Sequence, residues 1–493
     1  MPIFTKTDFI HFLRCSHSLW LEKHKPDVFP RKEFSDFLKK IAREGYEVEA
    51  YAQQLFPGGV SLPSNTSGVA KTKEAVVSGA SVLFQAAVQT EDNLFARTDV
   101  LERDGDGWTL YEVKSSTSVK RDRQHNHILD ACFQKVVFER SGYRIDRVCI
   151  IHVNGSYRRD EVIVPHDLLT ITDVTEEVRE KEGEVVLSIR AAQAVLESES
   201  INESVCPCFR KTKANHCDAF AYFNGEYSAG SVWELTRISE KKLNLLLDQS
   251  VIAIKDVPVD TDLNDRQMRQ VRAAVEGRPV INRGAVRKLL DTYTFPLLFF
   301  DYETAMHAVP RIIGMRPWQQ IPFQFSLHIL HEDGRLQHKE YLGDTLNASR
   351  DVIVALCEAM PEEGSIVSWH ASFEKQRNKE MAETYPAYAN ALLGMNDRMV
   401  DLEDVFKEAY TDTAFLGSTS IKKVLPVLCP DLSYRDLSVQ DGTQAMEQWL
   451  ALVEGGVPEA DRQRVREDLL AYCKLDTYAM VQLYTKLARC AAG

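Results

Sequence analysis

Two carboxylates and an amine lie on one predicted β-hairpin. The segment Asp99–Lys114 reads DVLERDGDGWTLYEVK, and its Asp-Gly steps are typical of a tight turn between antiparallel strands. A turn centred on positions 105–106 places Asp99 opposite Glu112, with Cβ atoms roughly 4.5–5.5 Å apart. Lys114 projects from the same face as Glu112, because alternate side chains of a strand share a face. These groups are suited to hold Mg²⁺ or Mn²⁺ and to orient water against a phosphate.

A second acidic set lies near the C-terminal end of the chain. The run FFDYET predicts a buried strand that carries Asp301 and Glu303 on one face. Tyr472 and Asp476 are one turn apart in a predicted helix and therefore share a face. Glu374, in the run HASFE, lies between these two segments.

The cysteines fall into two groups. Six are scattered among apolar neighbours and are interpreted as packing residues: Cys132, Cys149, Cys357, Cys429, Cys473 and Cys490. The other four, Cys15, Cys206, Cys208 and Cys217, lie on either side of the hairpin region. Ten cysteines in a long cytosolic chain do not indicate a disulfide framework.

The predicted elements position these residues in an α/β chain. Around the hairpin the order is helix, three strands, helix and strand, and the second of these helices spans 125–142. After Phe295, a buried strand, a hairpin and alternating helices and strands predict a mixed sheet flanked by helices. We expect one domain at 1–225, built around the hairpin, a helical connector at 226–290 and a second domain at 291–493.

Composition bounds the class of protein. With 493 residues, 44% of them apolar and 27% charged, the chain predicts a multidomain soluble protein. No apolar run is long enough to span a membrane, and the N-terminus lacks the apolar core of a signal peptide, so we expect a cytosolic location. The net charge of −13 disfavours an indiscriminate polyanion binder but is compatible with a local basic groove.

The hairpin pattern resembles the PD-(D/E)XK nuclease superfamily, and within it the RecB-like and CRISPR-associated exonucleases. The resemblance implies a restriction-endonuclease-like core in which Asp99 and Glu112 bind metal and Lys114 orients water or stabilises phosphate charge. Gln134, in the run QKVVF, would support the site, with Phe138 in place of the usual tyrosine.

Members of these nuclease families also carry a metal ligand on an early helix. In this chain the run GYEVE (45–49) offers Glu47 or Glu49 for that role.

The same nuclease subfamilies bind a 4Fe–4S cluster through one early cysteine and three that follow the core. By resemblance, Cys15, Cys206, Cys208 and Cys217 would hold such a cluster, which requires four thiolates. The tight C-x-C spacing departs from the usual pattern. Zinc bound with the help of His216 and Cys217 is the main alternative, and unliganded cysteines are another.

The C-terminal set resembles the DEDD exonucleases of the ribonuclease H-like superfamily, in the variety with a tyrosine in the last motif. The resemblance implies metal binding by Asp301, Glu303, Glu374 and Asp476, water orientation by Tyr472 and release of nucleotides from 3′ ends. The middle acid is usually aspartate and here is Glu374. The segment GSTSIKKVLP (417–426) resembles the region between the second and third motifs.

Together the two patterns resemble an uncharacterised bacterial family that pairs both nuclease domains. We expect a metal-dependent nuclease that acts on DNA, at single strands or ends. One alternative is an RNA exonuclease driven by the C-terminal domain. The other is a non-catalytic Fe–S subunit that binds nucleic acid. Helicase, repair or defence partners are not specified by the sequence.

Overall fold

The structure is a computed structural model that describes residues 3–30, 35–122, 125–225 and 230–492. Over these residues the protein is mixed α/β, with mixed parallel and antiparallel sheets. The chain forms two compact units, Met1–Glu226 with His307–Gln319, and Tyr227–Met306 with Gln320–Gly493. No helix within the described ranges has both the length and the apolar character that a membrane span requires.

The described part of the first unit contains seven strands and eight α-helices. The strands are β1 (Phe4–Thr5), β2 (Val60–Ser61), β3 (Val82–Gln89), β4 (Leu94–Asp104), β5 (Gly107–Lys114), β6 (Ile145–Val153) and β7 (Leu169–Asp173). The helices are α1 (Lys6–Arg14), α2 (Ser16–His24), α3 (Asp36–Gln53), α4 (Gly68–Val77), α5 (His127–Arg140), α6 (Pro165–Leu168), α7 (Thr175–Glu197) and α8 (Phe220–Asn224).

One mixed sheet organises this unit, in the order β2-β3-β4-β5-β6-β7, and β1 pairs with the start of β4. The β3–β4–β5 meander is antiparallel, whereas β5 and β6 are parallel. Helix α5 crosses over between β5 and β6, as a parallel pair requires. Asn126 caps its first turn by accepting from the backbone N–H of Ile128 and Leu129. Phe133 of α5 stacks on Phe9 of α1, with ring centroids 5.1 Å apart.

The described part of the second unit contains seven strands and ten α-helices. The strands are β8 (Val280–Ile281), β9 (Leu297–Ala305), β10 (Ile321–Leu330), β11 (Leu336–Leu342), β12 (Ile366–Ser368), β13 (Met399–Asp401) and β14 (Tyr410–Thr411). The helices are α9 (Glu240–Asp248), α10 (Asp265–Glu276), α11 (Arg283–Leu290), α12 (Ser349–Ala359), α13 (Ser372–Thr384), α14 (Ala389–Asp397), α15 (Glu403–Glu408), α16 (Ile421–Leu428), α17 (Gly442–Val453) and α18 (Glu459–Ala492).

The main sheet of the second unit has the order β11-β10-β9-β12-β13. Strands β9, β10 and β11 form an antiparallel meander, while β12 and β13 run parallel to β9. The central strand β9 begins with the buried run Leu297–Phe300, as a strand covered on both faces must. Helix α18 packs against β9 and β10, and Trp449 of α17 stacks on Phe323 at 4.4 Å.

The two units differ from the predicted domains in two places. The predicted connector, 226–290, falls almost entirely in the second unit, and the segment His307–Gln319 falls in the first. Buried Glu44 of α3 accepts from the Ala308 N–H at 2.7 Å, and its other oxygen lies 3.1 Å from His307 Nδ1. The indole of Trp318 donates to the Ser115 carbonyl at 2.7 Å. These contacts are between residues distant in sequence, so no local pattern marks the segment.

Replacing His307 with Ala is expected to lower the free energy of unfolding by about 1–3 kcal/mol, because buried Glu44 loses a hydrogen-bond partner. Burial alone would raise the pKa of Glu44, but His307 and Lys40 lower it to about 2 from its ordinary 4.5. A lowered native pKa stabilises the fold above about pH 4.5, and this stabilisation disappears as the pH falls towards 2. Urea unfolding at pH 7 and pH 3 measures both effects.

Arg311→Ala is the matched control for this variant. Its ion pair with Glu47 is half-exposed, so we expect a loss below about 1 kcal/mol. Equal losses in the two variants would contradict the proposed importance of the buried Glu44 contacts.

Candidate functional sites

The hairpin register agrees with the sequence prediction. The pairs run from Asp104 with Gly107 to Val100 with Tyr111, around a two-residue turn at 105–106. Gly105 has a φ of +59°, which suits the first position of such a turn. One further step of the same register puts Asp99 opposite Glu112.

Glu112 is the most heavily contacted carboxylate of the hairpin. It is 3% exposed, and its Oε1 accepts from Lys6 Nζ at 2.5 Å and from Lys114 Nζ at 2.9 Å. Its Oε2 accepts from Gln134 Nε2 at 2.5 Å. Burial would raise the pKa of Glu112, but the charges of Lys114 and Lys6 hold it well below its usual range. Glu112 is therefore ionised.

Lys114 is shared between two carboxylates. Its Nζ also donates to Asp130 Oδ2 at 2.7 Å, from α5. Burial opposes its positive charge, yet Glu112 and Asp130 raise the pKa of Lys114 above its usual value. Two carboxylates thus hold the Lys114 ammonium in place beside Glu112.

Asp99 faces a different set of partners. Its Oδ2 accepts from the Val113 N–H at 2.7 Å, and its Oδ1 accepts from Gln85 Nε2 at 3.2 Å. Burial and the charge of Glu112 raise the pKa of Asp99 to about 7. Gln85 has a φ of +59° within β3, a conformation that non-glycine residues seldom adopt and that clusters at functional sites.

The two acids of the early helix, Glu47 and Glu49, have different partners. Glu49 accepts from Gln85, which links it to Asp99, whereas Glu47 accepts from Arg311 at 2.8 Å. The contacts therefore connect Glu49, rather than Glu47, to the hairpin carboxylates. Sequence patterns missed Lys6 and Gln85, because neither belongs to a local motif around the hairpin.

The C-terminal carboxyls converge from three elements. Asp301 and Glu303 extend from β9, Glu374 lies in the first turn of α13 and Asp476 lies in α18. Burial raises the pKa of the Asp301 carboxyl most, and Asp476, Glu374 and Glu303 each lie close enough to raise it further. Glu374 is 2% exposed, and its Oε2 has no hydrogen-bond partner within the described residues.

Burial and mutual repulsion disfavour the charged form of these carboxyls. Burial and the neighbouring carboxyls hold the pKa of Asp301 and of Glu303 well above the usual range. Burial raises the pKa of Glu374 to about 8 and that of Asp476 to about 6. Carboxylates brought this close repel one another unless a positive charge intervenes. The donors are hard oxygens, which fit Mg²⁺ or Mn²⁺.

Three side chains near these carboxyls were not anticipated as site residues. Tyr434 donates its hydroxyl to Asp476 Oδ1 at 2.6 Å, and its ring lies beside that of Tyr472, with centroids 6.2 Å apart. The Sγ of Cys473 and carboxylate oxygens of Asp301 and Glu303 all lie within 4.8 Å of one another.

Lys422 is the third side chain near these carboxyls that the sequence did not indicate, after Tyr434 and Cys473. Its Nζ lies 5.5 Å from the ring centroids of both Tyr434 and Tyr472. Cys473 is fully buried, as expected of a packing residue, and it also lies beside Asp301 and Glu303.

The four predicted ligand cysteines form one buried group. The Sγ atoms of Cys15, Cys206, Cys208 and Cys217 all lie within 4.8 Å of one another. They come from the start of α2 and from the segment before α8, so the group joins the two ends of the first unit. His216 does not complete the group: its Nε2 lies 3.1 Å from the Lys211 carbonyl, and its ring stacks on Phe220.

The sulfur spacing bears on what the cysteines hold. Thiolates that share one tetrahedral zinc lie about 2.3 Å from it and hence about 3.8 Å from one another. The Cys206 and Cys217 sulfurs are 4.0 Å apart. In a four-iron cluster each thiolate binds a different iron, so the sulfurs lie farther apart than in a zinc site. The donor set fits both groups, and the observed spacing is closer to that of a single ion.

One protein-family model matches part of the second unit. Residues 298–420 match the domain of unknown function DUF2779. This region contains Asp301, Glu303 and Glu374, and it ends before Tyr472 and Asp476. The matched region therefore includes three of the four converging carboxyls.

Two curated relatives are themselves uncharacterised. The uncharacterized protein MG366 homolog of Mycoplasma pneumoniae is 30% identical over 206 residues, which are 38% of this chain and 31% of that protein. The uncharacterized protein UU173 of Ureaplasma parvum is 25% identical over 208 residues, 37% of this chain and 30% of that protein. The matched part spans less than a third of either relative.

Among solved structures, the one titled "Crystal structure of SSO0001" matches at 15% identity. It covers 46% of this chain and 87% of that chain, with a TM-score of 0.21.

Proposed function

We propose that the protein is a metal-dependent nuclease with two hydrolytic sites, which acts on DNA at single strands or ends. The observation that carries the proposal is the convergence of Asp301, Glu303, Glu374 and Asp476 from three elements, with Tyr472 one helical turn before Asp476. The order of these residues resembles the DEDD exonucleases. The central position of β9 in a mixed sheet is consistent with a ribonuclease H-like domain.

The hairpin supports a second hydrolytic site, of PD-(D/E)XK type. Asp99, Glu112 and Glu49 would hold Mg²⁺ or Mn²⁺, and Gln134 fixes the orientation of Glu112. The bound ion would polarise a phosphoryl oxygen and lower the pKa of water. Lys114 supplies positive charge to the phosphate, because its ammonium is held beside Glu112.

In the C-terminal site, different residues would bind the metal ions and orient the water. Asp301, Glu303, Glu374 and Asp476 would hold the ions, and the Tyr472 hydroxyl would orient the attacking water. Tyr434 fixes the Asp476 carboxylate through its hydrogen bond. Polarity follows from the resemblance alone, which implies hydrolysis from 3′ ends.

The test uses the full chain on single-stranded DNA and RNA of one sequence, each labelled at the 5′ or the 3′ end, with Mg²⁺ or Mn²⁺ and with EDTA as a control. Metal-dependent degradation of DNA supports the proposal. Degradation of RNA only, lost in Asp301→Asn, would favour an RNA exonuclease of the C-terminal domain. Binding without degradation of any substrate would favour a non-catalytic nucleic-acid-binding subunit.

We further propose that the cysteine group holds a 4Fe–4S cluster, as the resemblance implies, with one zinc ion as the alternative that the sulfur spacing favours. Protein purified without oxygen is expected to be brown, with iron and acid-labile sulfide near four per chain. Colourless protein with about one zinc per chain would show that the four cysteines bind zinc and not an iron–sulfur cluster.

Losing a ligand cysteine should weaken the first unit selectively. Cys217→Ala is expected to remove the metal and to increase hydrogen exchange in α2 and α8 more than in α18. Cys132→Ala is the matched control, because Cys132 is also buried but its thiol donates to the Val178 carbonyl. Equal metal content in the two variants would show that the four cysteines are not ligands.

A further inference from the structure

The segment GSTSIKKVLP (417–426) carries a lysine, Lys422, close to two tyrosines of the C-terminal site. Lys422 lies in the first turn of α16 and is exposed. Its ammonium lies 5.5 Å from the ring centroids of Tyr434 and Tyr472, and it donates to the Gln440 carbonyl at 2.8 Å. Both tyrosines are buried beside Asp476. An exposed ammonium is thus held next to the buried carboxyls.

The ammonium of Lys422 is the positive charge that Tyr434 and Tyr472 hold beside those carboxyls. The same carboxyls repel any phosphodiester that approaches them. A cation at this position would attract an anionic substrate while leaving the buried oxygens to bind metal.

The way Lys422 is held also suits a substrate contact. Two aromatic faces and one carbonyl fix the position of the ammonium. Part of the entropy cost of ordering a long side chain is therefore met before a substrate binds. Lysine is a common phosphate ligand, because its ammonium acts as a compact point charge.

We propose that Lys422 binds the substrate phosphate adjacent to the bond that the C-terminal site hydrolyses. The proposal rests on the nuclease function proposed above and adds a specific contact to it. Lys423 provides a matched control, since it carries the same charge in the same exposed turn but lies roughly 100° further around the helix.

The first test measures KM and kcat for 3′ degradation in a Glu112→Ala background, which isolates the C-terminal site once thermal unfolding has confirmed that this protein is folded. Lys422→Gln is expected to raise KM roughly tenfold with little change in kcat. The reason is that the lost contact would bind the substrate and the transition state equally well. The slope of log KM against log salt should fall by about 0.7, the value for one phosphate contact on a single strand. Lys422→Arg should restore most of the slope, and Lys423→Gln should leave it unchanged.

The second test removes the charge from the substrate instead. Strands with a single neutral methylphosphonate, placed in turn at each linkage next to the 3′-terminal bond, should show one position where the parent loses about tenfold in affinity. Lys422→Gln should lose nothing further at that position, because its contact is already absent. Fluorescence anisotropy in Ca²⁺ measures this binding independently of turnover.

The outcomes separate the inference from the function on which it rests. Normal hydrolysis with an unchanged salt slope in Lys422→Gln would overturn the inference alone. A lower Mn²⁺ requirement in that variant, with no change in slope, would also overturn it, because Lys422 would then only balance the carboxyl charges. A parent that neither binds nor degrades single strands would overturn both proposals.

Discussion

Replacing Asp301 with Asn is expected to lower 3′ degradation by the C-terminal site about a thousandfold. Asp301 lies among the other carboxyls, because burial, Asp476 and Glu374 all raise its pKa. The amide keeps the shape but removes the charge that would hold the ions. Metal ions contribute several kcal/mol of transition-state stabilisation, and about 4 kcal/mol corresponds to this factor. Time courses on 5′-labelled strands, in a Glu112→Ala background, measure the loss.

Glu374→Asp is the companion variant. Glutamate has one methylene more than the aspartate usual at this position in DEDD exonucleases, so its longer arm must bend to reach the same ion. We expect Glu374→Asp to keep or raise activity. Unchanged 3′ degradation in Asp301→Asn, together with a Mn²⁺-soaked crystal that holds no ion between Asp301 and Asp476, would show that this unit keeps its fold without the chemistry.

Local periodicity explains what the sequence could predict about these sites. An Asp-Gly turn sets the hairpin register, and the observed pairs follow it. The two-residue period of β9 places Asp301 and Glu303 together, and one helical turn joins Tyr472 to Asp476. In each case the signal lies within one element, so it is visible without knowing how the elements pack.

The residues that sequence reasoning missed come from other elements. Lys6 reaches Glu112 from α1, and Tyr434 reaches Asp476 from the segment between α16 and α17. Neither has a neighbour in sequence that marks it, because only tertiary packing brings it to the site. The apolar neighbours of Cys473 in sequence indicate a packing residue. Its position in α18, next to Tyr472, also brings its sulfur close to Asp301 and Glu303 of β9. Predictions from type and spacing fail where a contact depends on packing alone.

In an Asp301→Asn background, Glu112→Gln is expected to lower the remaining rate of DNA degradation about a thousandfold. The variant keeps the shape of the side chain, so Lys6, Lys114 and Gln134 retain a neighbour of the same size. It removes the negative charge that faces Asp99 and that would bind the ion. The expected factor again corresponds to about 4 kcal/mol of lost metal-dependent stabilisation.

A fold control is essential for this variant, because Glu112 neutralises two ammonium groups in a buried setting. Breaking a buried ion pair costs about 3–5 kcal/mol, which could by itself unfold the first unit. Lys114 keeps its ion pair with Asp130 in this variant, so Lys6 is the ammonium that loses its carboxylate partner. Combining Lys6→Met with Glu112→Gln should therefore recover part of the stability without recovering activity. Thermal unfolding and single-strand degradation, measured on the same preparations, separate the two effects. Full degradation by a folded Glu112→Gln, Asp301→Asn protein on every DNA substrate would show that the hairpin carboxylates serve the fold rather than hydrolysis.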